Sequence, residues 1–121
     1  MDNTRTLRVG EQIRRELSRL ISREVKDPRV GMVTVNDVEV SGDFSHAKVF
    51  YTLLGDDADR EASQQGLERA SGFLRGQLGR AVKLRHVPQL HFIYDNTAEE
   101  GDRLEALIAA ARKRDSEGGA G

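Results

Sequence analysis

Val33 and Val35 alternate with polar residues, and Val38 with Val40 resumes the alternation in the opposite phase. A strand shows alternate side chains to alternate faces. A phase reversal within one run therefore requires an extra residue, which predicts a β-bulge near Asn36-Asp37. A second alternating run, Ala47, Val49, Tyr51 and Leu53, begins after Ser41-Gly42-Asp43, residues with turn chemistry. The two runs are read as an antiparallel hairpin.

Helical periods flank this hairpin. Val9, Ile13, Leu17, Leu20, Ile21 and Val25 recur every three or four positions, which predicts an amphipathic helix over 6–26. Thr6 is the expected N-cap, and Pro28 is expected to push Asp27 out of helical geometry and end the helix. After the hairpin, Gly55-Asp56-Asp57-Ala58-Asp59 supplies a loop and an acidic first helical turn. Its ligand spacing is not that of an EF-hand, so no metal is expected there. Residues 58–84 have a helical pattern in two stretches. Ala62, Leu67 and Ala70 belong to the first; Phe73, Leu74, Leu78, Ala81 and Val82 belong to the second. Between them Ala70-Ser71-Gly72 is expected to break or kink the helix. Leu90 to Tyr94 is a third strand, Thr97 with Glu100 a capping box, and Leu104, Leu107, Ile108 and Ala111 mark a last helix. The expected order is α-β-β-α-α-β-α.

The chain has 121 residues, enough for one ordinary domain. With no Trp, two Tyr and four Phe, its core must be mainly aliphatic. The absence of Cys excludes disulfides, thiolate catalysis and Cys-based zinc sites. No apolar run is long enough for a membrane span, and no apolar segment of a secretory signal follows the start. A cytoplasmic domain is the expectation. The formal net charge of −1 hides a segmental pattern. Residues 1–29 carry +3, residues 30–68 carry −6, residues 69–94 carry +5 without one acid, and residues 95–121 carry −3. A bipolar surface of this kind can hold a polyanion on one face while the whole stays near neutral.

The cations are the candidate binding groups. On the first helix Arg8, Arg15, Arg19, Arg23 and Lys26 fall opposite the apolar face, with Glu11 and Glu16 at the flanks. Arg29 follows Pro28. Arg69, Arg75, Arg80, Lys83 and Arg85 make the acid-free segment. Few aromatic residues are left over from the core pattern, since Tyr51, Phe92 and Tyr94 alternate with it. Affinity for a nucleic acid should accordingly rest on phosphates and fall steeply with salt. Gly76-Gln77-Leu78-Gly79 has the letters of a Gly-x-x-Gly phosphate clamp, but Leu78 is in phase with Leu74 and Val82, so the stretch is read as helix. Two glycines in a helix cost about 1 kcal/mol each relative to Ala. Their absent side chains would let an RNA backbone approach between Arg75, Arg80 and Lys83, and Gly76→Ala with Gly79→Ala should then stabilise the fold and weaken binding. His46, His86 and His91 lack metal spacing. No P-loop, nucleophile elbow or other catalytic constellation occurs, and no cofactor or metal is expected.

The element order and five local strings resemble the ribosome-binding factor A family of bacterial small-subunit maturation factors. The strings are Lys26-Asp27-Pro28-Arg29-Val30-Gly31-Met32, Ala47-Lys48-Val49, Ala70-Ser71-Gly72-Phe73-Leu74-Arg75, Leu84-Arg85-His86-Val87-Pro88-Gln89-Leu90 and Phe92-Ile93-Tyr94-Asp95-Asn96. The resemblance covers roughly residues 6–110. One position departs from the family pattern, with Gln89 where Glu is expected. The resemblance implies an α+β, KH type II-like domain, α-β-β-α-α-β plus a C-terminal helix. In it a helix–kink–helix at Ala70, Ser71 and Gly72 stands in place of the Gly-x-x-Gly loop. It implies one RNA-binding domain over 1–114, followed by a disordered Gly-rich tail over 115–121. It also implies a non-enzymatic monomer that binds the free 30S ribosomal subunit, its 16S rRNA and the precursor near the decoding region. Such a protein assists late folding and end processing of the rRNA, particularly in the cold, with an assembly GTPase as releasing partner. Two other readings stand beside it: a generic KH-like RNA-binding module, and a protein-interaction domain working through Asp56, Asp57, Asp59 and Glu61.

Overall fold

Helix α1 (Asn3–Arg23) buries Ile13, Leu17, Leu20 and Ile21, the apolar face expected from the period. The computed structural model describes residues 3–27, 30 and 33–118. The helix begins ahead of Thr6, which is not its cap, because Arg5 extends it and holds its guanidinium over the Phe44 ring, 5.1 Å from the centroid. It also ends before Lys26. The Glu24 and Val25 amides both donate to the Leu20 carbonyl, at 2.8 and 3.2 Å, and close the last turn there. Pro28 and Arg29 lie outside the described residues. Each fully buried Leu or Ile of the face contributes about 1.5–3 kcal/mol. Gly10 lets the helix seat closely, since a Cβ there would lie 2.7 Å from the Val38 carbonyl oxygen.

Strands β1 (Val33–Val40) and β2 (His46–Leu53) pair antiparallel, and the register shifts between Val35 and Asp37. That shift is the bulge predicted from the phase reversal. It keeps Val35 and Val38 both facing the core, opposite Tyr51 and Val49. Strand β3 (Gln89–Tyr94) runs parallel to β2 on its other side, so the sheet order is β1-β2-β3. Helix α1 packs over β1 and helix α2 over β3, both on one face of the sheet. The result is a two-layer α+β body with its core between the layers.

Helix α2 (Asp57–Ala81) is one continuous helix, which corrects the expected division at Ala70-Ser71-Gly72. Leu67, Leu74 and Leu78 form a single in-phase buried row. Burying that row outweighs the intrinsic helix penalty of Gly72, about 1 kcal/mol. Gly72 is exposed, and a Cβ there would meet nothing. Phe73, assigned to the apolar stretch, is also on the outside at 45% exposure. The observed order is therefore α-β-β-α-β-α. Gln64 ties the layers together: it accepts from the Tyr51 hydroxyl and donates to the Phe92 carbonyl at 2.8 Å.

Helix α3 (Thr97–Gly118) runs on into the span 115–121 expected as a tail, of which residues 119–121 lie outside the described ones. The side chain of Glu100, expected to form a capping box with Thr97, lies outside the described residues; Asp95 Oδ1 accepts from the Thr97 amide at 3.0 Å and from the Thr97 hydroxyl. Those bonds, with one from Asn36, hold the Asp95 carboxyl below its ordinary range. Leu104, Leu107 and Ile108 are exposed on α3, so this helix leans little on the body.

Candidate nucleic-acid interface

Helices α1 and α2 run past one another in opposite directions. Residues 24–27 share a groove with Gly66, Arg69, Ala70 and Phe73, whereas Gln12, Arg15 and Glu16 share one with Ala81, Val82 and Lys83. This antiparallel passage brings the two basic segments together at one end of the molecule. A third groove adjoins the second through Gln12 and Lys83, and adds Arg5, Phe44 and Arg85. Arg5, Arg15, Lys83 and Arg85 thus line one continuous cationic surface, although they are far apart in sequence. All four are exposed.

The expected site residues divide on inspection. Arg8, Arg23 and Arg80 are exposed on their helices, as read from the sequence. Arg15 and Arg19 are exposed but carry acid partners: Arg15 Nε donates to Glu11 at 3.3 Å, and Arg19 Nε donates to Glu16 at 2.8 Å. The stripe is therefore less free of acid than the helical wheel suggested. Arg14 binds Glu11 more closely, at 2.9 Å from Nε, and this pair with Arg15 pulls the Glu11 carboxyl down to about 2.

Lys26 leaves the stripe, because α1 stops at Arg23 and places it in the groove with Arg69. Arg75 turns inward: its Nε donates to the Pro88 carbonyl at 3.1 Å and Nη2 to the Val87 carbonyl at 2.9 Å. It pins the α2–β3 connection rather than facing a ligand. Ala70, Ser71 and Gly72 lie within the continuous α2, so they do not join two separate helices.

The glycine reading divides in the same way. At Gly76 a Cβ would enter open space, but at Gly79 it would lie 2.9 Å from Val87 Cγ2. Gly79 exists for packing against the connection, so a shared backbone-approach face is not present. The acidic residues at 56–59 also have a local role. Asp56 caps α2 by accepting from the Asp59 amide at 2.9 Å, while the Asp59 carboxylate accepts from the Asp56 amide at 3.0 Å.

Two contributors escaped sequence reading. Arg5 stood one residue outside the expected helix start, although on the wheel it shares the side of Arg23. Phe44 had no periodic signal, because its position comes from a turn.

Among the described residues no group of three or more His, Asp or Glu could hold a metal, and no helix is long and apolar enough to cross a membrane. The arrangement is that of a small α+β domain with a cationic face. The model of the family Ribosome-binding factor A matches residues 5–108, and the chain belongs to that family. It is 57% identical over 110 residues to ribosome-binding factor A of Nitrosospira multiformis, covering 91% of this chain and 87% of the relative. It is 57% identical over 114 residues to that of Thioalkalivibrio sulfidiphilus, with 94% and 88% covered. The crystal structure of ribosome-binding factor A from Thermus thermophilus superposes with a TM-score of 0.67 at 29% identity, covering 74% of this chain and 94% of that one. A model of the Thermus thermophilus protein, fitted into a cryo-EM map of its complex with the 30S subunit, gives a TM-score of 0.64 at 28% identity, with 75% and 96% covered.

Proposed function

We propose that this chain binds the free 30S subunit through phosphates of 16S rRNA or its precursor, and assists late maturation and end processing of that rRNA, including in the cold. The observation that carries the reading is the joining of Arg5, Arg15, Lys83 and Arg85 along adjoining grooves. Arg8, Arg19, Arg23 and Arg80 extend that face, and Lys26 with Arg69 forms a second contact at the far end of α1. A relative has been placed in a 30S complex, which supports the choice of target. The β-β-α-β part of the body, with β3 parallel to β2, supports a KH type II-like reading in which the unbroken α2 replaces the loop.

The mechanism is differential binding. A ligand shifts an equilibrium only by its unequal affinity for two states. The domain holds an immature rRNA conformation more tightly than the mature one, and leaves as the mature form accumulates or as an assembly GTPase displaces it. It acts as a cytoplasmic monomer without chemistry of its own.

Co-sedimentation with separated 30S, 50S and 70S particles across a salt series tests the reading. About four phosphate contacts predict that log K falls with log salt at a slope near −3. Lys83→Glu with Arg85→Glu should remove 30S association while leaving the thermal midpoint in place. Equal binding to all three particles, or retention by the double variant, would refute it.

A further inference from the structure

The groove of about 250 Å³ where the start of α1, the β1–β2 turn and the α2–β3 connection meet has a lining that phosphate binding alone does not explain. Arg5, Lys83 and Arg85 suit a phosphodiester. Phe44 and Asp43 do not.

Phe44 has φ 62, the left-handed region that a bulky side chain rarely occupies. Its amide donates to the Ser41 carbonyl at 2.9 Å, and the next ladder bond runs from the Ser41 amide to the His46 carbonyl at 2.8 Å. Glycine or asparagine suits this position in a hairpin turn. An aromatic side chain there strains the backbone, and such strain collects at binding sites. The ring is half-buried, with the Arg5 guanidinium on one face.

Asp43 is equally out of place in an anion site. Its Oδ1 accepts from the Ser41 hydroxyl at 2.7 Å, the Ser45 hydroxyl at 2.7 Å and the Ser45 amide at 3.1 Å. Those bonds saturate Oδ1 and fix the carboxylate in place, and the ionised group keeps Oδ2 for further donors.

An aromatic ring stacked with Arg5, a fixed carboxylate and two further cations together match the three parts of a nucleotide: a base face, a base edge and a phosphate. Among the four RNA bases only guanine presents two adjacent donors, its ring imino and exocyclic amino groups, that can converge on one carboxylate oxygen such as Asp43 Oδ2. We propose that this groove takes one unpaired guanine nucleotide of an RNA strand. The base lies against Phe44 and Arg5, its edge donates to Asp43, and the flanking phosphates meet Lys83 and Arg85. The proposal deepens the rRNA-binding reading and rests on it. It adds a base-specific contact to a surface otherwise read as phosphate-directed.

The test is fluorescence anisotropy with the unstructured pentanucleotides UUGUU, UUAUU, UUCUU and UUUUU, alongside 30S sedimentation of the unaltered protein. UUGUU should bind at least about tenfold tighter than UUUUU, the scale expected for a stacked and edge-read base. Phe44→Gly relieves the backbone and keeps the fold, so its thermal midpoint should hold while UUGUU binding weakens at least about tenfold. Asp43→Asn should remove the preference for G over A and leave stacking. Equal affinity for all four strands would overturn the pocket, and if 30S sedimentation persists the ribosomal reading survives that failure. A G preference without 30S association supports the pocket and refutes the ribosomal reading instead. Guanosine monophosphate binding as tightly as UUGUU would assign the groove to a free nucleotide and overturn its place on an RNA strand.

Discussion

Three helical glycines have identical local chemistry and should respond differently to the same methyl group. At Gly76 a Cβ meets nothing, so Gly76→Ala should give the helix-propensity gain alone, about 1 kcal/mol. At Gly10 the added Cβ would stand 2.7 Å from the Val38 carbonyl oxygen, where ordinary contact begins at 3.4 Å. That oxygen belongs to the bulged strand β1 and cannot rotate away, so α1 must lift off the sheet. Overpacking of this kind costs about 1–3 kcal/mol, and the propensity gain offsets about 1 of it. Gly10→Ala should therefore be destabilised by about 1 kcal/mol, and the two variants should differ by about 2. For a domain of this size each kcal/mol moves the thermal midpoint by about 4 °C, so calorimetry should separate them by about 8 °C. Gly79→Ala should fall between them, because Val87 Cγ2 at 2.9 Å sits on a β-branched side chain with little freedom to turn aside. A Gly10→Ala variant as stable as Gly76→Ala would refute the claim that the seating of α1 on β1 requires glycine.

Arg75→Lys keeps the charge but loses the fork onto the Val87 and Pro88 carbonyls, so urea denaturation should show a loss of about 1–3 kcal/mol; no loss would mean that these bonds do not hold the connection. Glu11 and Asp43 are each held at about 2, from ordinary values of 4.5 and 3.8. Carboxylates depressed by folding contribute stability above their ordinary range, and that contribution is lost as pH falls towards about 2. Urea midpoints should accordingly drop across this acid window, and the drop should be shallower in Glu11→Gln. A chain ending at Asn96 should keep the stability of the body within about 0.5 kcal/mol, since the Leu104, Leu107 and Ile108 side chains are exposed; a large fall in its thermal midpoint would show that α3 is part of the core.

Periodicity and residue type determined what is local. The Val35-to-Val38 phase reversal specified the bulge, because side-chain alternation tolerates a skipped residue only as one. The α1 core face, the hairpin and the third strand were legible for the same reason: each follows from a repeat of two or of about three and a half residues. Family membership was legible in the quoted strings. Helix ends and continuity were not, because tertiary contacts outweigh local propensity. Gly72 looks like a break until the row Leu67, Leu74 and Leu78 is seen buried as one, and Arg5 looks like a leader until Phe44 meets it. The binding face was half visible. Charge by segment showed two basic stretches, but only the antiparallel passage of α1 along α2 set Arg15 beside Lys83. The same packing turned Arg75 inward onto backbone carbonyls, left Gly79 with no room for a Cβ and brought Phe44 to the cationic groove. Sequence carries the periods of single elements; which side chains then face a ligand is decided by the other elements that take up the rest of the space.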